Sequence, residues 1–207
     1  MKNNNVVRNI VLIVALAIGT LIFLTPIILS IPTSSVFVKL EDTTRSDLTV
    51  RVTGHQWKWT YEYVESGIKF DSILVGLGAL LEGLPNETAV EPGVDYLHNV
   101  DNMLVIPSGR KVRFLVTSSD VIHAWWVPDF GAKKDAIPGY INEIWVSVTE
   151  NKEGIYRGQC TELCGKGHMY MPVVVKVVTG AEFDAWLAAG GSFAAPALPS
   201  MEGKQAS

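Results

Sequence analysis

Residues 54–63 have the sequence GHQWKWTYEY, and this stretch decides the fold class that we predict. Aromatic side chains occupy every second position of it, with polar residues between them, at Trp57, Trp59, Tyr61 and Tyr63. Successive side chains of a β-strand point to opposite faces, so this period of two predicts a strand with one aromatic face and one polar face. The stretch therefore indicates a domain built from strands.

Other short alternating or β-branched runs lie on both sides of this stretch, at residues 48–52, 103–106, 111–117, 144–148 and 173–178. Glycine and proline residues separate the runs, as is typical of turns between strands. Many short strands joined by such turns indicate an all-β sandwich or barrel. Residues 67–94 are glycine-rich and poorly patterned, so we expect an irregular insertion there.

The C-terminal part of the chain carries the signal of one short helix. Residues 179–182, TGAE, have the Thr-x-x-Glu form of a capping box, and Phe183, Trp186 and Leu187 follow at helical spacing. Residues 190–207 are rich in glycine, serine, alanine and proline, and we expect them to form a disordered tail.

The N-terminal part contains an uncharged run of 22 residues, from Ile10 to Ile31. About 20 apolar residues suffice for a helix to cross the hydrocarbon core of a membrane. Lys2 and Arg8 precede the run, which predicts a cytoplasmic N-terminus and an exported remainder. A cleaved signal peptide is the alternative, but its apolar core usually has only about 7–15 residues. We therefore expect an uncleaved anchor in residues 1–36, followed by an exported domain in residues 37–189.

Composition narrows the possible partners. The chain has 207 residues and a formal net charge of −4, which argues against nucleic acid as a partner. From Glu41 onward, 14 basic side chains stand against 21 acidic ones, a formal charge of −7. Since an acidic domain attracts basic proteins, we expect a basic, diffusible protein to bind the exported part.

Residues 160–171, CTELCGKGHMYM, indicate a metal site. Two thiols, an imidazole and a thioether lie within these twelve residues, and such soft ligands select copper over magnesium or calcium. His123 is the natural further ligand, because it follows a predicted strand and stands among bulky residues. A Cys160–Cys164 disulfide is the simplest alternative outside the cytoplasm, but it leaves His168 unexplained. Structural zinc, a second alternative, prefers four strong ligands.

Three separated stretches of the chain resemble cytochrome c oxidase subunit II. They are the run Cys-x-Glu-x-Cys-Gly-x-x-His-x-x-Met, the upstream run Ser-x-Asp-Val-Ile-His and the aromatic stretch quoted above. The resemblance extends over about residues 47–186. It implies a cupredoxin-like Greek-key β-barrel that holds the dinuclear copper centre CuA. The apolar run and the capping box described above add one N-terminal transmembrane helix and a short C-terminal helix to this fold.

The resemblance also implies the roles of individual residues. Six of them would bind copper: Cys160 and Cys164 as bridging thiolates, His123 and His168 on one copper each, and Met171 and the backbone carbonyl of Glu162 as weak axial ligands. The carboxylate of Glu162 would bind magnesium at the boundary with subunit I. Electrons would enter through Trp57. Four acids would form the docking face for cytochrome c: Glu62, Asp71, Asp101 and Asp120.

The implied function is that of subunit II of a haem-copper terminal oxidase in a bacterial cell membrane, with the copper domain on the periplasmic side. Such a subunit takes electrons from cytochrome c and passes them to the haem subunit, which reduces oxygen to water. Members of this family usually have two membrane helices, and this sequence shows one. The rival interpretations are the CuA domain of a nitrous oxide reductase-like enzyme, a membrane-anchored copper chaperone for oxidase assembly, and a disulfide-bonded β domain without metal.

Overall fold

A computed structural model describes residues 3–76 and 97–192 of the chain. The chain divides into two compact units, Met1–Asp42 and Thr43–Ser207. Residues 193–207 of the expected disordered tail lie outside the described residues, as do residues 77–94 of the expected irregular insertion.

The first unit consists of one helix, α1, which spans Asn3–Glu41. It contains the predicted apolar span and continues beyond Ile31. In the described part of the chain, α1 is the one helix long and apolar enough to cross a membrane, with a mean hydropathy of 2.7 in its most apolar window. The hydroxyls of Thr25 and Thr33 donate to backbone carbonyls one turn earlier at 2.7 Å, so these polar groups are satisfied within the helix itself.

The second unit is built from two five-stranded sheets. The strands of the first sheet are β1 Leu48–His55, β2 Lys58–Tyr63, β3 Lys69–Ser72, β5 Lys111–Ser118 and β8 Asn142–Ser147. Those of the second sheet are β4 Leu104–Pro107, β6 His123–Val127, β7 Ala132–Ala136, β9 Gly154–Cys160 and β10 Pro172–Val178. The described residues of this unit also form two short 3-10 helices, Pro128–Phe130 and His168–Tyr170, and the α-helix α2 Gly180–Ala188.

The chain crosses repeatedly between the two sheets. The strand order is β3-β2-β1-β5-β8 in the first sheet and β4-β10-β9-β6-β7 in the second. The pairs β1–β5 and β4–β10 are parallel, while the other paired strands run antiparallel. The predicted all-β architecture, with one long N-terminal helix and one short C-terminal helix, is confirmed.

The core lies between the inner faces of the two sheets. Along β1 and β5, buried and partly exposed residues alternate, as expected for strands with one face toward the core. Six of the seven residues of β10 are buried, as expected for a continuous apolar run in a strand that lies deep in the core.

The aromatic stretch differs from its prediction as a single strand. β1 ends at His55 and β2 begins at Lys58, so Gln56 and Trp57 form the turn between them. The side chains of Trp59, Tyr61 and Tyr63 all point into the core. The period of two continues across the turn, and neither turn residue is a glycine or a proline. The pattern alone therefore could not predict that the chain reverses direction here.

The prediction that residues 67–94 form a wholly irregular insertion is wrong for its first part. Residues 69–72 form β3, which pairs with β2. The ring of Phe70 packs against Tyr61 and Tyr63, with centroid separations of 5.9 and 6.2 Å. This aromatic contact gives the short strand a hydrophobic face that its polar sequence does not reveal.

Helix α2 begins with the predicted capping box. The Thr179 hydroxyl accepts a hydrogen bond from the Glu182 backbone N–H, and the Glu182 carboxylate accepts one from the Thr179 N–H. Phe183 and Trp186 are buried and pack against Tyr63. The helix thereby covers the core at the end of β2.

The hydroxyl of Tyr63 forms hydrogen bonds with both backbone groups of the buried residue Val105. It accepts a hydrogen bond from the Val105 N–H at 2.9 Å and donates one to the Val105 carbonyl at 2.7 Å. Tyr63→Phe leaves both backbone groups without this partner, so we expect the free energy of unfolding to fall by about 1–3 kcal/mol. Urea unfolding followed by tryptophan fluorescence measures this loss.

Tyr61→Phe is the matched control for this prediction. Tyr61 is equally buried on the same strand, but its hydroxyl has only a long contact of 3.5 Å with Trp125 Nε1. We expect a smaller loss of stability, because a contact at this distance contributes little. Equal losses in the two variants would contradict the role assigned to Tyr63.

Candidate metal centre

The sulfur-rich residues predicted from the sequence meet at one end of the two-sheet unit. His123 begins β6, Cys160 ends β9, and Cys164 and Met171 lie in the loop from β9 to β10. These four side chains are buried, while that of His168 is partly exposed. Two neighbouring strands of the second sheet therefore hold the first two side chains, and the loop brings the others to them.

The first half of the cluster surrounds Cys160. Its Sγ lies 3.9 Å from His123 Nδ1 and 3.4 Å from the backbone carbonyl oxygen of Glu162. The carboxylate of Glu162 lies on the exposed surface. Glu162 thus presents its carbonyl oxygen to the sulfur cluster, and its carboxylate remains accessible from outside.

The second half surrounds Cys164. Its Sγ lies 3.5 Å from His168 Nδ1 and 3.5 Å from Met171 Sδ. The two cysteine sulfurs are 3.9 Å apart, and both cysteines are free thiols. Each sulfur therefore has one imidazole nitrogen and one weaker donor beside it, and the two halves meet at the sulfur pair.

The two thiols differ in acidity. Burial alone would raise the pKa of Cys160, but its hydrogen bond with the His123 ring lowers that pKa below the ordinary value. Burial and the adjacent Cys160 sulfur raise the pKa of Cys164 to about 12. The Cys160 thiol thus ionises more readily than the Cys164 thiol, which keeps its proton until a metal displaces it, so metal binding should release protons.

The donor set fits copper. It combines two thiols, two imidazole nitrogens, a thioether and a backbone carbonyl, and the soft sulfur donors prefer copper to hard cations. Among the described residues, the donor atoms of His123, Cys160 and Cys164 all lie within 4.8 Å of one another. With protein atoms on all sides of the buried sulfurs, the arrangement suits a metal held for electron transfer.

The turn between β1 and β2 is hydrogen-bonded to the loop that carries Cys164. The Cys164 carbonyl oxygen accepts hydrogen bonds from Gln56 Nε2 at 2.8 Å and from Trp57 Nε1 at 3.1 Å. The indole of Trp57 is partly exposed, so it joins the protein surface to the metal-binding loop. The sequence identified Trp57 as a site residue but not Gln56, because no local pattern predicts a contact with a residue 108 positions away.

Asp120 contacts a predicted ligand, a relation that the sequence analysis did not identify. Its Oδ1 lies 2.9 Å from His123 Nε2. Burial would raise the pKa of Asp120, but hydrogen bonds from His123 and from the N–H groups of Val121 and Gln56 hold that pKa below the usual range. The spacing Asp-x-x-His was the available signal, because a residue three positions before a histidine can reach its ring across a tight turn.

The other three acids of the predicted docking face lie outside the sulfur cluster. Asp71 pairs with Lys58, and Glu62 pairs with Arg51 at 3.3 Å. Asp101 is exposed and accepts hydrogen bonds from two backbone N–H groups. These partners reduce the negative field that Asp71 and Glu62 present to solvent.

The ring of His55, beside the turn that carries Trp57, forms hydrogen bonds with two hydroxyl groups. Its ring nitrogens lie 3.0 Å from the Thr60 hydroxyl and 2.6 Å from the Ser119 hydroxyl. Asp71 and Asp120 both influence the His55 ring electrostatically, although burial dominates and lowers its pKa. Two of the predicted docking acids therefore flank the turn that carries Trp57.

Comparison with known proteins identifies the family. The sequence model of the cytochrome c oxidase subunit II periplasmic domain matches residues 48–178, which is more than half of the chain. The chain belongs to the cytochrome c oxidase subunit II family. The metal-site residues described above all lie within the matched range.

Members of the subunit II family from bacteria are similar along most of this chain. A probable cytochrome c oxidase subunit 2 of Rickettsia bellii is 40% identical over 170 residues, covering 82% of this chain and 59% of the relative. Cytochrome c oxidase subunit 2 of Cereibacter sphaeroides is 41% identical over 158 residues, covering 72% of this chain and 52% of the relative. The chain thus spans somewhat more than half the length of these relatives.

A solved subunit II structure confirms the predicted cupredoxin-like fold. The periplasmic domain of subunit II of cytochrome oxidase from Bradyrhizobium japonicum matches with a TM-score of 0.60 and 39% identity, covering 70% of this chain and 94% of that one. A mixed disulfide between a thioredoxin-like protein and a cytochrome c oxidase subunit II domain matches with a TM-score of 0.56 and 38% identity, covering 72% and 94%.

Gly167 allows Trp57 to approach the metal-binding loop. A Cβ at this position would lie 2.3 Å from the indole ring, although the φ of −94° suits any residue. We expect Gly167→Ala to displace the indole and to lower the free energy of unfolding by about 1–3 kcal/mol. Chemical unfolding and the emission spectrum of Trp57 check both effects.

Gly180→Ala is the control for this substitution. Gly180 begins α2, and its added Cβ would meet only the flexible end of Arg110, at 3.3 Å. Alanine favours a helix over glycine, so the free energy of unfolding should hold or rise. A loss in Gly180→Ala as large as in Gly167→Ala would refute the packing argument.

Proposed function

We propose that this chain is the electron-accepting subunit II of a haem-copper terminal oxidase, which receives electrons from cytochrome c and delivers them to the haem subunit that reduces oxygen to water. The observation that carries this proposal is the meeting of two free cysteines, two histidines and a methionine at one end of a subunit II fold. The oxygen chemistry belongs to the haem subunit.

The residues that would hold the dinuclear CuA centre are those that surround the sulfur pair. Cys160 and Cys164 would each supply a thiolate, His123 and His168 one nitrogen each, and Met171 and the Glu162 carbonyl the weaker donors. When bound, the centre supplies reversible one-electron transfer with little change in geometry.

The protein around the site restricts the movement of these donors and shields them from water. The Trp59 indole N–H donates to the Met171 carbonyl at 3.3 Å, and its ring meets the edge of His123 at 5.9 Å. Both Trp59 and His123 are fully buried. A rigid apolar shell of this kind limits the movement of the donors when their charge changes and helps to set the redox potential.

The surface beside the site supports docking of a basic electron carrier. Trp57 is partly exposed, and its indole N–H donates a hydrogen bond to the loop of Cys164. We therefore assign to it the passage of electrons into the site. Asp71 and Asp120 flank this turn, and the further acids Glu62 and Asp101 extend the predicted docking surface. Attraction between opposite charges speeds the encounter of the two proteins.

The orientation and the remaining partners follow from the same proposal. Lys2 and Arg8 before the apolar run favour a cytoplasmic N-terminus, with the barrel on the periplasmic side of a bacterial cell membrane and α1 in contact with lipid. The exposed carboxylate of Glu162 would bind magnesium where this subunit meets subunit I. A carboxylate oxygen is the type of ligand that magnesium prefers.

We also propose that a thioredoxin-like protein keeps the sulfur pair reduced before copper is inserted. A similar subunit II domain forms a mixed disulfide with such a protein. This chain has only two cysteines, so a mixed disulfide with it would involve Cys160 or Cys164. Their sulfurs are close enough that a small movement would allow them to oxidise together.

Copper loading tests the central proposal. We expect the full-length chain in detergent to bind two coppers, to turn purple and to give a mixed-valence electron spin resonance signal. Cys160→Ser removes a bridging thiolate and should abolish that signal. Met171→Leu should retain copper but alter the spectrum, since it removes only a weak donor.

Met169→Leu is the matched control for Met171→Leu. Met169 lies two residues away in the same loop, but its side chain is exposed. We expect its copper content and spectrum to equal those of the unsubstituted chain. A colourless chain, or one that holds a single copper, would reject the proposal.

Electron uptake from cytochrome c tests the docking surface. We expect the rate to fall as ionic strength rises, because salt screens the attraction between the proteins. Trp57→Phe should lower the rate by about tenfold or more, equivalent to about 1.4 kcal/mol in the barrier. The copper content should stay at two per chain, and stopped-flow absorbance measures the rate.

Trp145→Phe is the control for the tryptophan substitution. Trp145 lies on β8, under the Lys111 ammonium at 4.7 Å, and is only partly buried. We expect an unchanged rate of electron uptake in this variant. A rate that does not change with ionic strength, or that falls equally in the two variants, would contradict the docking assignment.

A further inference from the structure

The carboxylate of Asp120 is fixed by hydrogen bonds from several directions. Its Oδ1 accepts from His123 Nε2 at 2.9 Å and from the Val121 N–H at 2.6 Å. Its Oδ2 accepts from the Gln56 N–H at 2.7 Å, and the Ser118 hydroxyl lies 3.3 Å from Oδ1. Both oxygens therefore have partners within this chain, which a residue used only for docking would not need.

This arrangement determines which nitrogen of His123 faces the metal site. An ionised carboxylate can only accept hydrogen bonds, so Nε2 must carry the proton that it shares with Asp120. A metal-binding imidazole is neutral, and in that neutral ring the lone pair is then on Nδ1, the atom that lies 3.9 Å from Cys160 Sγ. Asp120 thus selects the tautomer of His123 that can bind a metal beside Cys160.

The environment of the ring leaves His123 little freedom to turn. A Cβ at Gly54 would lie 2.8 Å from the His123 ring, so the backbone of β1 passes close to one side of it. The Trp59 ring meets it at an interplanar angle of 63°. Packing therefore restricts the ring, and the bond to Asp120 fixes the orientation that remains.

The second histidine lacks such support. His168 Nδ1 lies 3.5 Å from Cys164 Sγ, but across residues 3–76 and 97–192 no protein group forms a hydrogen bond with its other ring nitrogen. The His168 side chain is also partly exposed. The two imidazoles therefore differ in their surroundings. Among the described residues, the His123 ring is hydrogen-bonded to a carboxylate and the His168 ring is not.

Asp120 also connects the two halves of the cluster. The Gln56 N–H donates to Asp120, and the Gln56 side chain donates to the Cys164 carbonyl at 2.8 Å. The His123 ring is therefore linked through the Asp120 carboxylate to the backbone of Gln56, and the side chain of Gln56 links that residue to the loop of Cys164. Movement of the carboxylate would disturb both halves.

We propose that Asp120 is a positioning residue for the copper centre, which fixes the tautomer of His123 and strengthens its Nδ1 as a donor, in addition to its place on the docking surface. This inference rests on the proposed function. A carboxylate behind a metal-bound imidazole makes that imidazole a stronger donor, which favours the oxidised metal. Asp120 should therefore increase copper affinity and lower the midpoint potential of the centre.

The test compares Asp120→Asn with Asp129→Asn in the full-length chain in detergent. Each substitution removes one carboxylate charge and keeps the side-chain size, but Asp129 lies beyond the far end of β6 from His123 and is exposed. We expect Asp120→Asn to weaken copper binding about 10–100-fold in competition with a chelator. Its midpoint potential should rise, while Asp129→Asn should show neither change.

Neither measurement involves cytochrome c, so loss of docking cannot produce the expected result. Unchanged copper affinity and potential in Asp120→Asn would overturn the inference while leaving the proposed function intact. An unsubstituted chain that binds no copper would instead reject the proposed function. The two failures are therefore distinguishable.

The metal-free chain provides an independent measurement. Nitrogen-15 magnetic resonance of the histidine rings should show His123 as the Nε2-protonated tautomer, and Asp120→Ala should shift it toward a mixture of tautomers. Near-ultraviolet circular dichroism establishes that the Asp120→Ala chain retains its native packing. A His123 spectrum that is unchanged in this folded variant would contradict the positioning role.

Discussion

The carbonyl oxygen of Cys164 accepts two hydrogen bonds from one turn, and the arrangement of the site depends on this contact. Gln56 and Trp57 belong to the turn of the first sheet, whereas Cys164 lies in a loop of the second sheet. The two bonds therefore hold the sheets together at the end where the sulfurs lie. The absence of a side chain at Gly167 gives the indole the space that this contact requires.

Burial of the sulfur atoms sets the chemical limits of the site. A buried thiol resists ionisation, yet the His123 ring lowers the pKa of Cys160 while Cys164 retains its proton. Such a pair accepts a metal by releasing protons. Protein donors surround the sulfurs on both sides, an arrangement that suits a metal held for electron transfer better than a site for a substrate.

The sequence was sufficient to predict strands β1, β2, β4, β5, β8 and β10, the capped helix and the residues of the sulfur cluster. Strand periodicity and ligand spacing are local signals, and Cys160, Cys164 and His168 lie within nine residues of one another. The turn at residues 56–57 escaped prediction because the aromatic alternation continues through it. β3 escaped because its stability comes from contacts of Phe70 with rings elsewhere in the chain.

The contacts around the cluster were harder to predict, for the same physical reason. Asp120 was identified by its charge and by family position, whereas its hydrogen bond to His123 depends on the conformation of the turn between them. Gln56 and Cys164 are separated by 108 positions in the chain, and no short pattern relates residues so far apart. Local spacing therefore identifies the candidate ligands, while tertiary structure identifies what orients them.

The position of residues 56–57 has a consequence for how this protein can diverge. In the proposed function, one turn would serve both as part of the surface that a soluble carrier meets and as a support for the loop of Cys164. Substitutions there that suited a new carrier would also loosen the interior, and selection should remove most of them. Adaptation to a different donor protein is therefore left to outlying acids such as Asp101, which can be exchanged without disturbing the donors inside.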